Sequence, residues 1–107
     1  MSQILNRILK LVGQREILIS EHGYDELSAD AILVTDVCDG VVDSVVVEEY
    51  PDYHKGPCVL VLQRDRNREP VHVLWGIPAG AESPAVVVTA YRPSADRWTG
   101  DFLRRRQ

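Results

Sequence analysis

Residues able to move protons or hold phosphate sit at a few places in this 107-residue chain. His22 follows Ser20 and Glu21, in what reads as the first turn of a helix. The partial positive charge at a helix N-terminus disfavours imidazolium. The neutral ring is the form a general base needs. His72 lies inside the strand-like run Val71-His72-Val73, and Tyr91-Arg92-Pro93 closes another such run. Arg92 offers a planar, permanently charged fork for phosphate, and Tyr91 a ring for base stacking or a proton to donate. Metal-independent RNA cleavage asks for little more. A base activates the ribose 2′-hydroxyl, a cation steadies the charged phosphorane, and an acid protonates the leaving oxygen. Each residue also has an architectural reading: His22 fixing a helix start, His72 packing within a sheet, Tyr91 and Arg92 ending a strand.

Arg64, Arg66 and Arg68 crowd one turn, and Arg104, Arg105 and Arg106 the tail; both groups suit a phosphate backbone. Trp98 reads as a packing anchor and His54 as an exposed loop residue. There is no glycine-rich phosphate loop, no G-x-S-x-G elbow and no zinc-ligand spacing. Cys38 and Cys58 are too sparse for a disulfide framework and read as small apolar residues. No metal and no cofactor are expected.

The elements that position these residues follow from periodicity. Ile4, Leu5, Ile8, Leu11 and Val12 recur at helical spacing, with Ser2 to cap the start and Gly13 to end it. Ile17-Leu18-Ile19 is too short to assign. Ser20 caps a second helix through Leu27, and Thr35 a third through Asp39, stopped by Gly40. From Val41 the period changes to that of strands: Val45–Val47, Cys58–Leu62, Val71–Ile77 and Ala85–Tyr91. Short breaker-rich gaps separate them, so an antiparallel meander is the simplest topology. Helices ahead of strands indicate an α+β domain, the N-terminal helices packed on one face of a four-stranded antiparallel sheet. With Val71, Val73 and Trp75 toward the helices, His72 and Leu74 face away. With Val86, Val88 and Ala90 toward them, Val87, Thr89 and Tyr91 face away. His72, Thr89 and Tyr91 then share the uncovered face. Asp101 to Gln107 reads as a polar, basic tail, helical or disordered.

The size suits one domain spanning residues 1–107. No apolar run approaches the ~20 residues of a membrane span, and no secretory signal is apparent, so a reducing cytoplasm is the expected location. The net charge of −4 hides a strong polarity. Residues 1–16 sum to +2, residues 17–54 to −10 with no lysine or arginine, and residues 55–107 to +4. A local basic region steers a polyanion whatever the net charge, while the acidic stretch suits a basic protein partner.

Ser20-Glu21-His22, Thr35-Asp36-Val37 with Gly40, Glu49-Tyr50-Pro51, Pro70-Val71-His72-Val73 and Val88-Thr89-Ala90-Tyr91-Arg92-Pro93, ending at Trp98, together carry a resemblance. The chain is similar over roughly residues 17–98 to a bacterial domain family of unknown function grouped by fold with RelE-like and barnase-like nucleases, MqsR-like toxins of toxin–antitoxin modules among them. The resemblance implies a type II toxin, a metal-independent ribonuclease acting on mRNA, neutralised by an antitoxin of zinc-finger or helix-turn-helix type. His22, His72, Tyr91 and Arg92 are then the expected catalytic set, and Arg64, Arg66, Arg68, Thr89, Arg104 and Arg105 the RNA-binding set. The chain departs from the family at Asp30-Ala31-Ile32, where an Arg-Gly-Ile step is usual. The alternative is a non-catalytic module of the same fold that homodimerises or docks a protein partner.

Overall fold

The computed structural model describes residues 2–107. In chain order the elements are α1 (Gln3–Gly13), β1 (Ile17–Ile19), α2 (Glu21–Ala29), α3 (Val34–Gly40), a 3-10 turn (Val41–Asp43), β2 (Val45–Tyr50), β3 (Cys58–Arg64), β4 (Pro70–Gly76) and β5 (Ala85–Tyr91). Ser2 caps α1, its Oγ accepting from Leu5 N at 3.0 Å. Ile4, Ile8 and Leu11 form the buried stripe of that helix. The left-handed residue after α1 is Arg15, at φ 61°, rather than Gly13. Ser20 caps α2 as expected, its Oγ accepting from Gly23 N at 2.9 Å. Thr35 does not cap α3: the helix starts two residues earlier than that cap implies, at Val34 behind Leu33 and without a side-chain cap. The Thr35 hydroxyl accepts instead from Arg66 Nη2 at 3.4 Å.

The fold is α+β, but the sheet has five strands and is mixed, in the order β1-β5-β4-β3-β2. The expected meander is present as β2 to β5, each antiparallel to the next. The addition is β1, which runs parallel to β5. Its pairing is bracketed by hydrogen bonds from Ala85 N to Glu16 O (2.9 Å) and from Ser20 N to Val87 O (3.1 Å). Three apolar residues thereby complete the backbone bonding of β5 on the side the meander leaves open.

The helical layer lies on one face of the sheet. Its core joins Ile4, Ile8, Leu11, Leu27, Ile32 and Val37 to Val59, Val61, Val71, Val73, Trp75, Ala85, Val87 and Ala90. Two polar groups are buried here and satisfied. Trp75 Nε1 donates to Gln63 Oε1, and Gln63 Nε2 donates to Val37 O, both at 2.8 Å. The alternation expected of β4 holds, but that of β5 holds only at its end. Trp75 pairs with Val87 and Leu74 with Thr89, leaving Val88 as an extra residue. This bulge turns Ala85 and Val87 toward the helices, not Val86 and Val88, and beyond it Ala90 points inward. Thr89 and Tyr91 therefore do share the far face with their partners Leu74 and His72.

That far face is not open throughout. The chain beyond Arg92 folds back as a strap, closed on itself by a bridge between Trp98 and Arg105 and by bonds from Thr99 N to Arg104 O and from Arg106 N to Arg97 O, both 2.8 Å. It reaches β4 through His72 and β2 through an ion pair between Arg105 and Glu48. Leu60 and Leu62 of the intervening strand are correspondingly buried. Neither a helix nor a free tail forms here.

Candidate functional site

The strap and the end of β5 enclose an open cleft of about 780 Å³, lined by Tyr91, Arg92, Ser94, Asp96, Arg97, Trp98, Arg105, Arg106 and Gln107. Tyr91 is half-buried on its wall and backs onto His72. The rings meet edge to face, 5.3 Å between centroids, with Tyr91 Oη 3.1 Å from His72 Nδ1. On the other side of the imidazole, Nε2 lies 2.8 Å from the carbonyl oxygen of Phe102. A carbonyl only accepts, so Nε2 carries the proton, and Nδ1 accepts from the Tyr91 hydroxyl. Trp98 closes the remaining side, its ring perpendicular to the imidazole at 4.3 Å. His72 is fully buried. Burial pushes its pKa down, against a smaller upward pull from the Phe102 carbonyl, and burial pushes the Tyr91 phenol up. Only Tyr91 of this pair is presented to the cleft.

Arg92 lines the cleft but is not free to clamp a ligand. Its backbone N–H donates to Asp30 Oδ2 at 2.9 Å, and its Nε to the Asp30 carbonyl at 3.3 Å. Its Nη2 pairs with Asp65 Oδ2 at 2.9 Å, while Nη1 is buried without a hydrogen-bond partner. The guanidinium thus ties the end of α2 and the β3–β4 turn to the end of β5. Burial works against the Asp65 carboxylate, yet hydrogen bonds from Glu69 N, Arg92 and Asn67 N outweigh it and hold its pKa below the usual range. Asp30 thus serves as an acceptor twice over, its carboxylate for the Arg92 backbone N–H and its main-chain carbonyl for the guanidinium.

The cations left to the cleft come from the strap. Arg97 and Arg106 are exposed and carry no ion pair among the described residues. Arg106 is braced by Nε donating to Ala95 O at 2.6 Å. Arg105 is paired with Glu48 and holds its guanidinium 5.0 Å over the Trp98 ring. Arg97 had no distinguishing signal in the sequence. Arg106 stood out only as part of a basic tail, and nothing local showed that this tail would fold back onto Tyr91.

The other expected residues lie elsewhere. Arg64, Arg66 and Arg68 belong to the β3–β4 hairpin; Arg66 pairs with Asp36 at 2.9 Å, and Arg64 Nη1 donates to the Arg68 carbonyl at 3.5 Å. Thr89 is half-buried on the far face and Arg104 is exposed, but neither lines the cleft. His22 is not brought to Tyr91. It is largely exposed, 3.6 Å from Glu26, and borders a separate groove with Ser20, Tyr53 and Lys55 over a floor that includes Cys58, Val86 and Val88. Cys38 and Cys58 are free thiols raised in pKa by burial. Among the described residues no group of three or more His, Cys, Asp or Glu side chains is placed to hold a metal ion. Among the described residues no helix is long and apolar enough to cross a membrane.

A family profile described as "Domain of unknown function (DUF4258)" matches residues 19–92. The matched span runs through α2 to Arg92 and leaves α1 and the strap outside it. No curated protein and no solved structure matches the chain.

Proposed function

The chain belongs to the DUF4258 family of domains of unknown function, and we propose that it binds single-stranded RNA in the strap cleft and cleaves it without a metal ion. One observation carries this reading: the Tyr91 hydroxyl, bonded to a buried neutral histidine, stands on the wall of a cleft with unpaired arginines. As the ribose 2′-oxygen attacks phosphorus, its proton passes to Tyr91 Oη, and the proton of Tyr91 passes to His72 Nδ1. The imidazolium keeps its Nε2–H on the Phe102 carbonyl. The bond from phosphorus to the 5′-oxygen breaks, that oxygen takes a proton from water, the hydroxide left behind takes back the proton from His72 through Tyr91, and the products are a 2′,3′-cyclic phosphate and a 5′-hydroxyl. Arg97 and Arg106 offset the charge of the phosphorane. Tyr91 is the catalytic residue; His72 acts through it as a positioning residue. Arg92 is assigned to architecture and His22 to neither step.

In this reading the domain is the mRNA-cleaving toxin of a RelE/barnase-like toxin–antitoxin pair, as the resemblance implies. The test uses 5′-labelled single-stranded RNA in excess EDTA. Wild-type protein cuts, Tyr91→Phe lowers kcat by about 10²-fold or more, and Arg97→Ala/Arg106→Ala raises KM. Binding to the two unpaired arginines, Arg97 and Arg106, gives a log–log salt slope of about −1.4. Equal rates for wild-type and Tyr91→Phe proteins overturn the proposal. A second reading, a docking module without catalysis, draws on the acidic outer edge of β2.

A further inference from the structure

The sheet ends on one side at β2, whose outer edge has no strand beside it among the described residues. At six residues it is the longer of the two edges; β1 at the other end has three. Its backbone spans about 20 Å, and an unpaired edge of that length is a template for another strand. The exposed side chains of β2 and of the segments on either side of it, residues 39–44 and 51–52, divide into two kinds. Val42 and Val45 are large apolar residues left 69% and 49% exposed. Asp39, Asp43, Glu49 and Asp52 are exposed carboxylates, none ion-paired among the described residues. No lysine or arginine occurs between residues 17 and 54 to balance them.

We infer that the β2 edge docks a strand of a second protein in which apolar residues alternate with lysine or arginine. The edge supplies backbone hydrogen bonds, Val45 an apolar contact, Glu49 a charge partner within the strand, and Asp43 one just ahead of it in the 3-10 turn. A second copy of this chain fits less well, because two such edges bring together the carboxylates of Asp43, Glu49 and Asp52 from both copies with no lysine or arginine between residues 17 and 54 to balance them. The break in register at Val47 adds local twist that further opposes flat self-association. This surface is separate from the RNA cleft and does not depend on it.

The test uses the full chain, labelled with nitrogen-15, and three blocked octapeptides. One alternates lysine with valine, one lysine with glycine, and one glutamate with valine. The lysine–valine peptide is expected to shift amides of residues 42–50 and to bind about fivefold more weakly to Asp43→Asn/Glu49→Gln, as the charge partner in the strand and the one beside it are lost. The other two peptides should bind more weakly still. Equal binding of the lysine–glycine peptide reduces the effect to diffuse charge attraction and overturns the proposal. So do shifts confined to α2 or the strap, or a dimer of the chain alone in sedimentation equilibrium that is broken by Val45→Asp.

Discussion

Replacing Trp98 by alanine removes the lid over His72 and tests whether the strap sets the chemistry of the histidine. Trp98 is 5% exposed, and its ring stands 4.3 Å from the imidazole. Truncating a buried tryptophan costs about 3–5 kcal/mol. The polar contacts between the strap and the sheet include the Phe102 carbonyl on Nε2 and the Arg105–Glu48 ion pair, both near the strap's end. The strap can therefore detach locally while the sheet stays folded. That limits the global loss to the lower end, about 3 kcal/mol, or a fall in Tm of about 12–20 °C. The diagnostic readout is the ring itself. In the wild type, burial depresses the His72 pKa, so the folded state binds its proton less readily than the unfolded chain, whose histidines titrate near 6.5. Stability is complete above about pH 6.5 and falls as the pH drops toward the folded pKa, by at most about 1.4 kcal/mol per pH unit. In Trp98→Ala the imidazole is wetted, its pKa rises toward 6.5 and that slope flattens. Ring nitrogen shifts across a pH titration, with thermal unfolding by circular dichroism, measure both. An unchanged low pKa in the variant would refute the reasoning.

Asp65→Asn should cost about 1–3 kcal/mol, because it removes the carboxylate that pairs with Arg92. The Asp65 pKa is lowered in the folded state, so its contribution is present above about pH 3.9 and vanishes in acid. Urea titrations of variant and wild type should therefore converge below that pH, and a gap of constant size would contradict the assignment. Gly23→Ala should destabilise although it lies in a helix. The added Cβ would stand 2.6 Å from the carbonyl oxygen of Val87, a backbone atom of β5. The expected cost is about 1–3 kcal/mol, read as a lower urea midpoint; a midpoint at or above wild type would show that α2 has room to shift.

Much of this architecture was legible in the residues, and the exceptions have physical causes. The stripe of Ile4, Ile8 and Leu11, the Ser20 cap and the four runs of the meander announce themselves by period and by the breakers between them. Ile17–Ile19 does not, since three residues show no period and the partner, β5, lies more than sixty positions away. The turn of β5 was hidden because Val86, Val87 and Val88 are the same residue: either face reads equally well, and only the bulge decides. For the site, alternation alone brings Tyr91 beside His72. It does not show the strap, whose polar composition resembles a loose tail, nor the capture of Arg92 by Asp30 and Asp65, which are distant in the chain. The phosphate role foreseen for Arg92 is accordingly assigned to Arg97 and Arg106.

The most direct test of the Tyr91 cleft is amide shift mapping of the nitrogen-15-labelled chain with a short single-stranded RNA in EDTA, together with the His72 ring signals. RNA seated in the cleft should move resonances of residues 91–98 and 104–107 and perturb the His72 Nδ1 signal through the Tyr91 hydroxyl, leaving His22 and Tyr53 unmoved. Shifts centred on His22, Tyr53 and Lys55, with residues 91–107 and the His72 ring unaffected, would contradict the account.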